Sequence, residues 1–220
     1  MLAYELLLND LVPLYMTDNA MVALSLMEEY KVTHMPVVDD GIFKGLLSES
    51  DIYSHNRFED VIANQPIVLN NITVTKDQHI FDVIEIIHKN SLSLLPVIDD
   101  DGFYIGSIFL TDIISKLSEI TGINNPGGII VLEMNIHDYS LSEIAQIVES
   151  NNIKIINSYV NSFNDSTKIE VTLKLNSVDI EAIIQTFNRY NYQIKASYTD
   201  VDLNDNISDR YNSLMNYLNI

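Results

Sequence analysis

Between Asp18 and Lys31 the apolar residues Ala20, Ala23, Leu24 and Met27 stand at i, i+3, i+4 and i+7, the spacing that lays one apolar stripe along a half-buried helix. Adding 60 to each number gives Ile80, Val83, Ile84 and Ile87, the same stripe in the same phase. Val32 then matches Leu92 and Pro36 matches Pro96; after one extra aspartate the offset becomes 61, and Gly41, Gly45 and Asp51 match Gly102, Gly106 and Asp112. A one-residue slip confined to a turn is what a duplicated structure permits, so the pattern marks two copies of one unit. Each copy reads as a helix, a Pro-led apolar strand, an Asp-Asp-Gly turn in which Gly supplies positive φ, a return strand, and a second helix starting near Ser48 or Thr111. A β-α-β-β-α unit of this size cannot bury its own apolar face, so the copies are expected to pack together.

The pattern changes at Thr121–Gly128, "TGINNPGG", where Asn, Pro and Gly break the helix. Strands are predicted at Ile129–Met134, Ile153–Phe163, Lys168–Leu175 and Gln193–Tyr198, with Asn164–Ser166 turning the chain. Ser140-Leu-Ser-Glu143 is a capping box ahead of apolar Leu141, Ile144, Ala145 and Val148, and Ile180, Ile183, Ile184 and Phe187 form a second helical stripe. The order β-α-β-β-α-β is that of the ferredoxin-like split βαβ unit. The expected organisation is therefore α/β (α+β): repeat 1 over 1–60, repeat 2 over 61–122, a linker at 123–128, a second domain over 129–200, and a tail over 201–220. In the tail, Tyr211, Leu214, Met215 and Leu218 have helical spacing.

Composition narrows what such a protein can do. A formal charge of −19, from 31 acids against 12 Lys and Arg, repels polyanions and disfavours nucleic acid, which needs cations to displace phosphate counterions. The absence of Cys removes disulfides and thiol chemistry and fits a reducing cytoplasm. No stretch has the length of a membrane span, and the N-terminal "MLAYELLLNDL" lacks the basic start of a signal peptide.

The doubled pattern, Pro-Val, Asp-Asp-Gly, a second Gly and a terminal Asp, resembles a tandem pair of CBS domains, the Bateman module, over about residues 1–122. The resemblance implies a non-catalytic regulatory module that binds an adenosine-type ligand, such as AMP, adenosine or S-adenosylmethionine, between its repeats and passes occupancy to a partner domain. The second domain, following a CBS pair, resembles an ACT domain, a module that commonly binds amino acids at subunit interfaces, and implies a homodimer. The whole arrangement is similar to the accessory proteins of bacterial acetoin utilisation. The segment His137-Asp138-Tyr139-Ser140 lacks the glycine of the usual ACT turn, which weighs against close backbone approach to a ligand; Asp138 and Tyr139 stay as candidate contacts, with capping by Ser140 the favoured role of the segment.

Gly45-Leu46-Leu47-Ser48-Glu49-Ser50-Asp51 matches the ligand motif of the family. The resemblance implies that Asp51 accepts the paired ribose hydroxyls, that Ser48 meets a phosphate, and that main chain at His34, Met35 and Pro36 lines the adenine. The chemistry suits those roles, since an ionised carboxylate accepts two hydrogen bonds and a hydroxyl donates one. Ser48 and Asp51 equally suit a helix cap. In the second copy Phe109 replaces the serine; Asp112 remains, with Thr111 beside it to cap the helix. Basic residues are scarce near the motif, only Lys44, Arg57, His34 and His55, so a monophosphate, a nucleoside or a cationic adenosyl compound is favoured over ATP.

Nothing else points to chemistry. His34, His55, His79, His88 and His137 lack metal-site spacing, Asp99–Gly102 lacks the alternating ligands of a calcium loop, and no nucleophile elbow or phosphate loop is present. The alternative to sensing is a ligand-free assembly protein. The sequence predicts at most one well-formed nucleotide site per chain, centred on Asp51; calorimetric titration that finds two equivalent sites contradicts it.

Overall fold

The computed structural model of the chain describes residues 1–7, 11–65, 71–163 and 167–199. The expected turn at Asn164–Ser166 and the expected tail helix lie outside the described residues. The chain divides into two compact units, Met1–Leu117 and Ser118–Ile220.

In the first unit, β1 (Leu14–Tyr15), α1 (Ala20–Tyr30), β2 (His34–Asp39), β3 (Ile42–Ser48) and α2 (Glu49–His55) form one repeat. The second repeat follows with β4 (Val74–Thr75), α3 (Ile80–Asn90), β5 (Leu94–Ile98), β6 (Tyr104–Phe109) and α4 (Leu110–Ile120). Each repeat has a three-stranded sheet, β1-β2-β3 or β4-β5-β6, with the first pair parallel and the second antiparallel. Leu14 faces Val37 and Val74 faces Val97, so even the register is duplicated. Met35 to Val38 and Leu94 to Val97 are buried without alternation, as strands covered on both faces must be. The helical stripes point inward, with Ala20, Ala23 and Met27 in α1 and Ile80, Val83 and Ile87 in α3 all buried.

The slip between copies is a change of turn type. Asp40 and Gly41 both have positive φ, 51° and 81°, the two-residue primed turn that suits a twisted hairpin. The extra aspartate makes the second turn three residues long: Gly102 N–H donates to Asp99 O at 3.1 Å, and positive φ falls on Gly102 alone, at 86°. That is a type I turn with a following left-handed glycine.

Each repeat is completed by main chain from outside it. Ala3 N–H donates to Gln78 O (2.9 Å) and Tyr4 N–H to Lys76 O (3.0 Å) at the start of the second repeat. The connection between repeats does the same for the first: Ile62 N–H to Asp18 O (2.7 Å) and Ala63 N–H to Met16 O (3.1 Å). At the other end the hairpin turns exchange a symmetric pair, Phe43 N–H to Gly102 O (3.2 Å) and Tyr104 N–H to Gly41 O (2.9 Å).

The second unit contains β7 (Ile129–Asn135), α5 (Leu141–Ser150), β8 (Ile155–Ser162), β9 (Lys168–Leu175), α6 (Glu181–Arg189) and β10 (Gln193–Tyr198). The sheet order is β10-β7-β9-β8, all antiparallel, which is the expected split βαβ arrangement. β9 alternates buried Ile169, Val171, Leu173 and Leu175 with more exposed residues, so one sheet face is covered. Its covers are Ile144, Ile147 and Val148 of α5 and Ile183 and Phe187 of α6. Gly127 lies so close to Leu175 O that a Cβ there would sit 1.9 Å from it, which ties the glycine to the end of β9 rather than to a mere breaker role.

Two element starts differ from expectation in ways that matter. β8 starts at Ile155 rather than Ile153, after Lys154 N–H has turned to the Asn176 side chain at 2.8 Å. α4 starts at Leu110, so Thr111 lies inside the first turn and the position before the helix belongs to Phe109, which has no capping oxygen. Phe187 is fully buried and meets Tyr192 edge to face at 5.4 Å. Phe187→Ala is expected to destabilise the second unit by about 3–5 kcal/mol; urea unfolding read through amide exchange at Ile130 and Leu132 measures it.

Candidate functional site

The ligand motif of the first repeat sits where β3 ends and α2 begins. Ser48 has extended backbone and caps the helix, its Oγ accepting from Asp51 N–H at 3.0 Å. The same hydroxyl donates to Asp51 Oδ2 at 2.6 Å, so the 2.8 Å contact with Ser50 Oγ has Ser50 as donor. Ser48 is only 6% exposed, and its hydrogen-bonding capacity is used inside the motif. Asp51 is half-buried.

Strand pairing brings the other candidates beside these two. His34, Met35 and Pro36 lie opposite Ser48, Leu47 and Leu46 across β2 and β3. Met35 and Pro36 are buried; His34 is half-buried. Burial pulls the His34 pKa below its ordinary value, and the negative charge of Asp51 opposes that pull. Of the nearby bases, Lys44 Nζ is 3.8 Å from the Asp39 carboxylate, and His55 Nδ1 donates to Asp51 O at 2.8 Å.

The second repeat presents a different environment. Phe109, 9% exposed, turns into the apolar core, and Asp112 Oδ2 is buried with no hydrogen-bond partner. Desolvation raises the Asp112 pKa, since burial disfavours the charged form. The structure therefore gathers Asp51, Ser48, His34, Met35 and Pro36 at one junction and places Asp112 at the equivalent junction of the other repeat.

Sequence reasoning missed Thr33 and Ser93. Thr33 N–H donates to Ser93 Oγ at 3.0 Å, and both hydroxyls approach His34 Nδ1, at 3.0 and 3.3 Å. A signal existed: the two residues occupy the same position of the repeat, 60 apart, and both carry a short hydroxyl. His79 has a role beyond surface display: it caps α3, its Nδ1 accepting from Phe81 N–H at 3.3 Å.

In the second unit a cavity of about 470 Å³ is lined by Glu133, Asn135, Asp138, Glu143, Lys168 and Tyr192, among others. Asp138 Oδ2 accepts from Asn135 Nδ2 at 3.2 Å, whereas Tyr139 packs against the core. Lys168 is paired with Glu133 at 2.5 Å and holds that carboxyl below its usual range. Burial first, and then the Glu143 charge, push the Tyr192 phenol up. A cavity dominated by carboxylates, with its lysine already paired, suits the carboxylate of an amino acid poorly.

Among the described residues, no group of three or more His, Asp or Glu is placed to hold a metal ion, and no helix is long and apolar enough to cross a membrane.

The CBS domain family matches residues 3–56 and 59–119, more than half of the chain, and the chain belongs to that family. It is 31% identical over 93 residues to the uncharacterized protein MJ1232 of Methanocaldococcus jannaschii, covering 42% of this chain and 31% of that protein. It is 32% identical over 95 residues to the inosine-5'-monophosphate dehydrogenase of Thermoplasma acidophilum, covering 43% of this chain and 19% of the enzyme. The chain thus spans less than a third of the length of these relatives. Among solved structures it is similar to a CBS domain pair/ACT domain protein from Thermotoga maritima, with 20% identity and a TM-score of 0.48, covering 54% of this chain and 98% of that one. It is also similar to CBSX2 in complex with AMP, with 21% identity and a TM-score of 0.48, covering 54% and 97%. An acetoin utilization (AcuB) structure from Vibrio cholerae gives 18% identity and 0.49, covering 56% and 95%. The tandem CBS assignment rests on the family match.

Asp112 supplies a direct test of the site's electrostatics. Its pKa is raised on folding, so the fold keeps this proton where the unfolded chain has lost it. The favourable contribution is present below the unfolded pKa and lost as pH rises through the folded one. Asp112→Asn removes the desolvated charge and is expected to raise the melting temperature at neutral pH, with the difference from wild type shrinking as the buffer approaches about pH 4.

Proposed function

We propose that the protein is a non-catalytic sensor that binds an adenosine-type ligand between its CBS repeats. Asp51 takes the ribose hydroxyls, Ser48 faces the phosphate side, and main chain at His34, Met35 and Pro36 borders the base. Asp112 is the corresponding acceptor of the second repeat. The reading is carried by Asp112 Oδ2, a carboxylate oxygen shut off from water without a donor, which is what a sugar hydroxyl would provide. A group left in that state costs stability, and such costs concentrate where a ligand supplies the missing partner.

The local charge selects within the class. Lys44 is beside Asp39 and the ring of His55 is tied to main chain, which leaves exposed Arg57 and half-buried His34 as the remaining nearby bases, little positive charge for a triphosphate. AMP, adenosine or the cationic S-adenosylmethionine suits the site better than ATP. Occupancy is passed to the ACT-like unit or to a regulated protein partner, which requires the ligand to favour one packing of the repeats; each tenfold preference is worth about 1.4 kcal/mol.

A second reading, assembly without ligand, has its own support. The Ser48 hydroxyl is consumed by the cap, and exposed Met21 and Tyr53 line a groove of about 540 Å³ whose counterpart in the second repeat, about 380 Å³, is lined by Leu110 and Ile114. On this reading the apolar faces belong to a homodimer.

Thermal shift with adenosine, AMP, ADP, ATP and S-adenosylmethionine separates the two. Sensing expects a rise in melting temperature for at least one compound, lost in Asp51→Ala or Asp112→Ala. A flat response across the panel, with a concentration-dependent dimer by light scattering, establishes assembly instead.

A further inference from the structure

The residues that precede β2 and β5 meet between the two repeats of the first unit. Thr33 N–H donates to Ser93 Oγ at 3.0 Å, and Ser93 N–H donates back to His34 Nδ1 at 3.4 Å. An Nδ1 that accepts from an amide must carry its lone pair there, so the clasped ring bears its proton on Nε2. The same two residues also hold the motif helices. Thr33 O accepts from Glu49 N–H, the first residue of α2, at 2.9 Å; Ser93 O accepts from Leu110 N–H, the first residue of α4, at 3.0 Å. One small hydrogen-bonded crossing therefore touches both helices that carry the ligand carboxylates, Asp51 and Asp112.

The crossing is not symmetric. The position equivalent to His34 is Leu94, which is fully buried and cannot accept. A single imidazole thus serves the pair. The charged group acting on it is Asp51 of α2. Its other neighbours are uncharged hydroxyls: Thr33 beside it, Ser93 from the second repeat, and Ser48, its register partner on β3.

We infer that His34 is a coupling residue between the repeats: its imidazole, clasped by Ser93 and lying across the strand pair from Ser48, the partner of Asp51, ties the charge at the first ligand motif to the grip on the second repeat. Protonation turns Nδ1 from acceptor to donor; it can then donate to a neighbouring hydroxyl, but the Ser93 amide loses its acceptor, so acid loosens the clasp. Burial holds the folded pKa below the unfolded one. The clasp's contribution is therefore complete above about pH 6.5 and is lost as pH falls through the folded value. By the same electrostatics, an anionic group placed beside Asp51 favours the open state and a cationic one the closed state. That last consequence rests on the ligand reading proposed above; the clasp itself does not.

The test is a histidine titration of the full chain by NMR, with ¹³Cε1-labelled histidine and His34→Asn to assign the signal. His34 is expected to titrate below its ordinary value. Asp51→Asn should move it lower still, by removing the favourable charge, and Ser93→Ala should move it up, by admitting water to the ring. His34→Asn places an oxygen where Nδ1 stands, so it should fold and lose the acid-side fall in melting temperature. Titration of His34 at its ordinary value, or indifference to both neighbouring substitutions, overturns the coupling role. No ligand is involved, so a flat nucleotide panel removes the sensing function and leaves the clasp standing, while an unshifted His34 removes the clasp alone.

Discussion

Main chain exchanged between the two repeats is what the first unit depends on. The strands at the heart of each repeat are apolar on both faces, and neither three-stranded sheet can cover both by itself. The exchange meets that need with backbone groups: residues before the second repeat finish the first, the N-terminal residues finish the second, and the hairpin turns pair across the middle. Hydrogen bonds are directional, so an exchange made of amides and carbonyls fixes the register of the two repeats, which apolar contact alone does not. β3 and β6, whose ends lead into the helices that carry Asp51 and Asp112, are among the elements that this exchange ties.

Within that frame two copies of one motif have reached different states. In the first repeat, serine, aspartate and helix amide form a closed local network with a half-buried histidine beside it. In the second, phenylalanine has moved into the core, and the aspartate is left with a desolvated oxygen. Loss of the hydroxyl explains both changes: without it the carboxylate has no local donor, and the ring finds its best contact in the interior. The asymmetry gives a nearly symmetric scaffold two inequivalent ends, and the single imidazole at the crossing adds a third difference.

The second unit owes its order to a different balance. One face of its sheet is covered by two helices, so its strands alternate, and the other face is spread with paired charges such as Glu133 with Lys168 and Glu170 with Lys195. The acidic balance of the whole chain reappears in its cavity, where carboxylates outnumber the paired lysine. That electrostatic character disfavours the carboxylate of an amino acid in this cavity.

The duplication, the helical stripes, the hairpins and the split βαβ order were legible because each depends on local periodicity: apolar residues spaced for one helix face, alternation in β9, and glycine where φ must be positive. The repeat offset even located the turn whose geometry changes. The states of the titratable groups were not legible. That Ser48 spends its hydroxyl on Asp51, that Asp112 lacks a partner, and that Ser93 reaches His34 from 59 positions away all depend on which groups are brought together and how much water is excluded. Periodicity is a property of neighbours along the chain and survives without a fold, whereas hydrogen-bond partnership and desolvation exist only once distant segments have closed around one another.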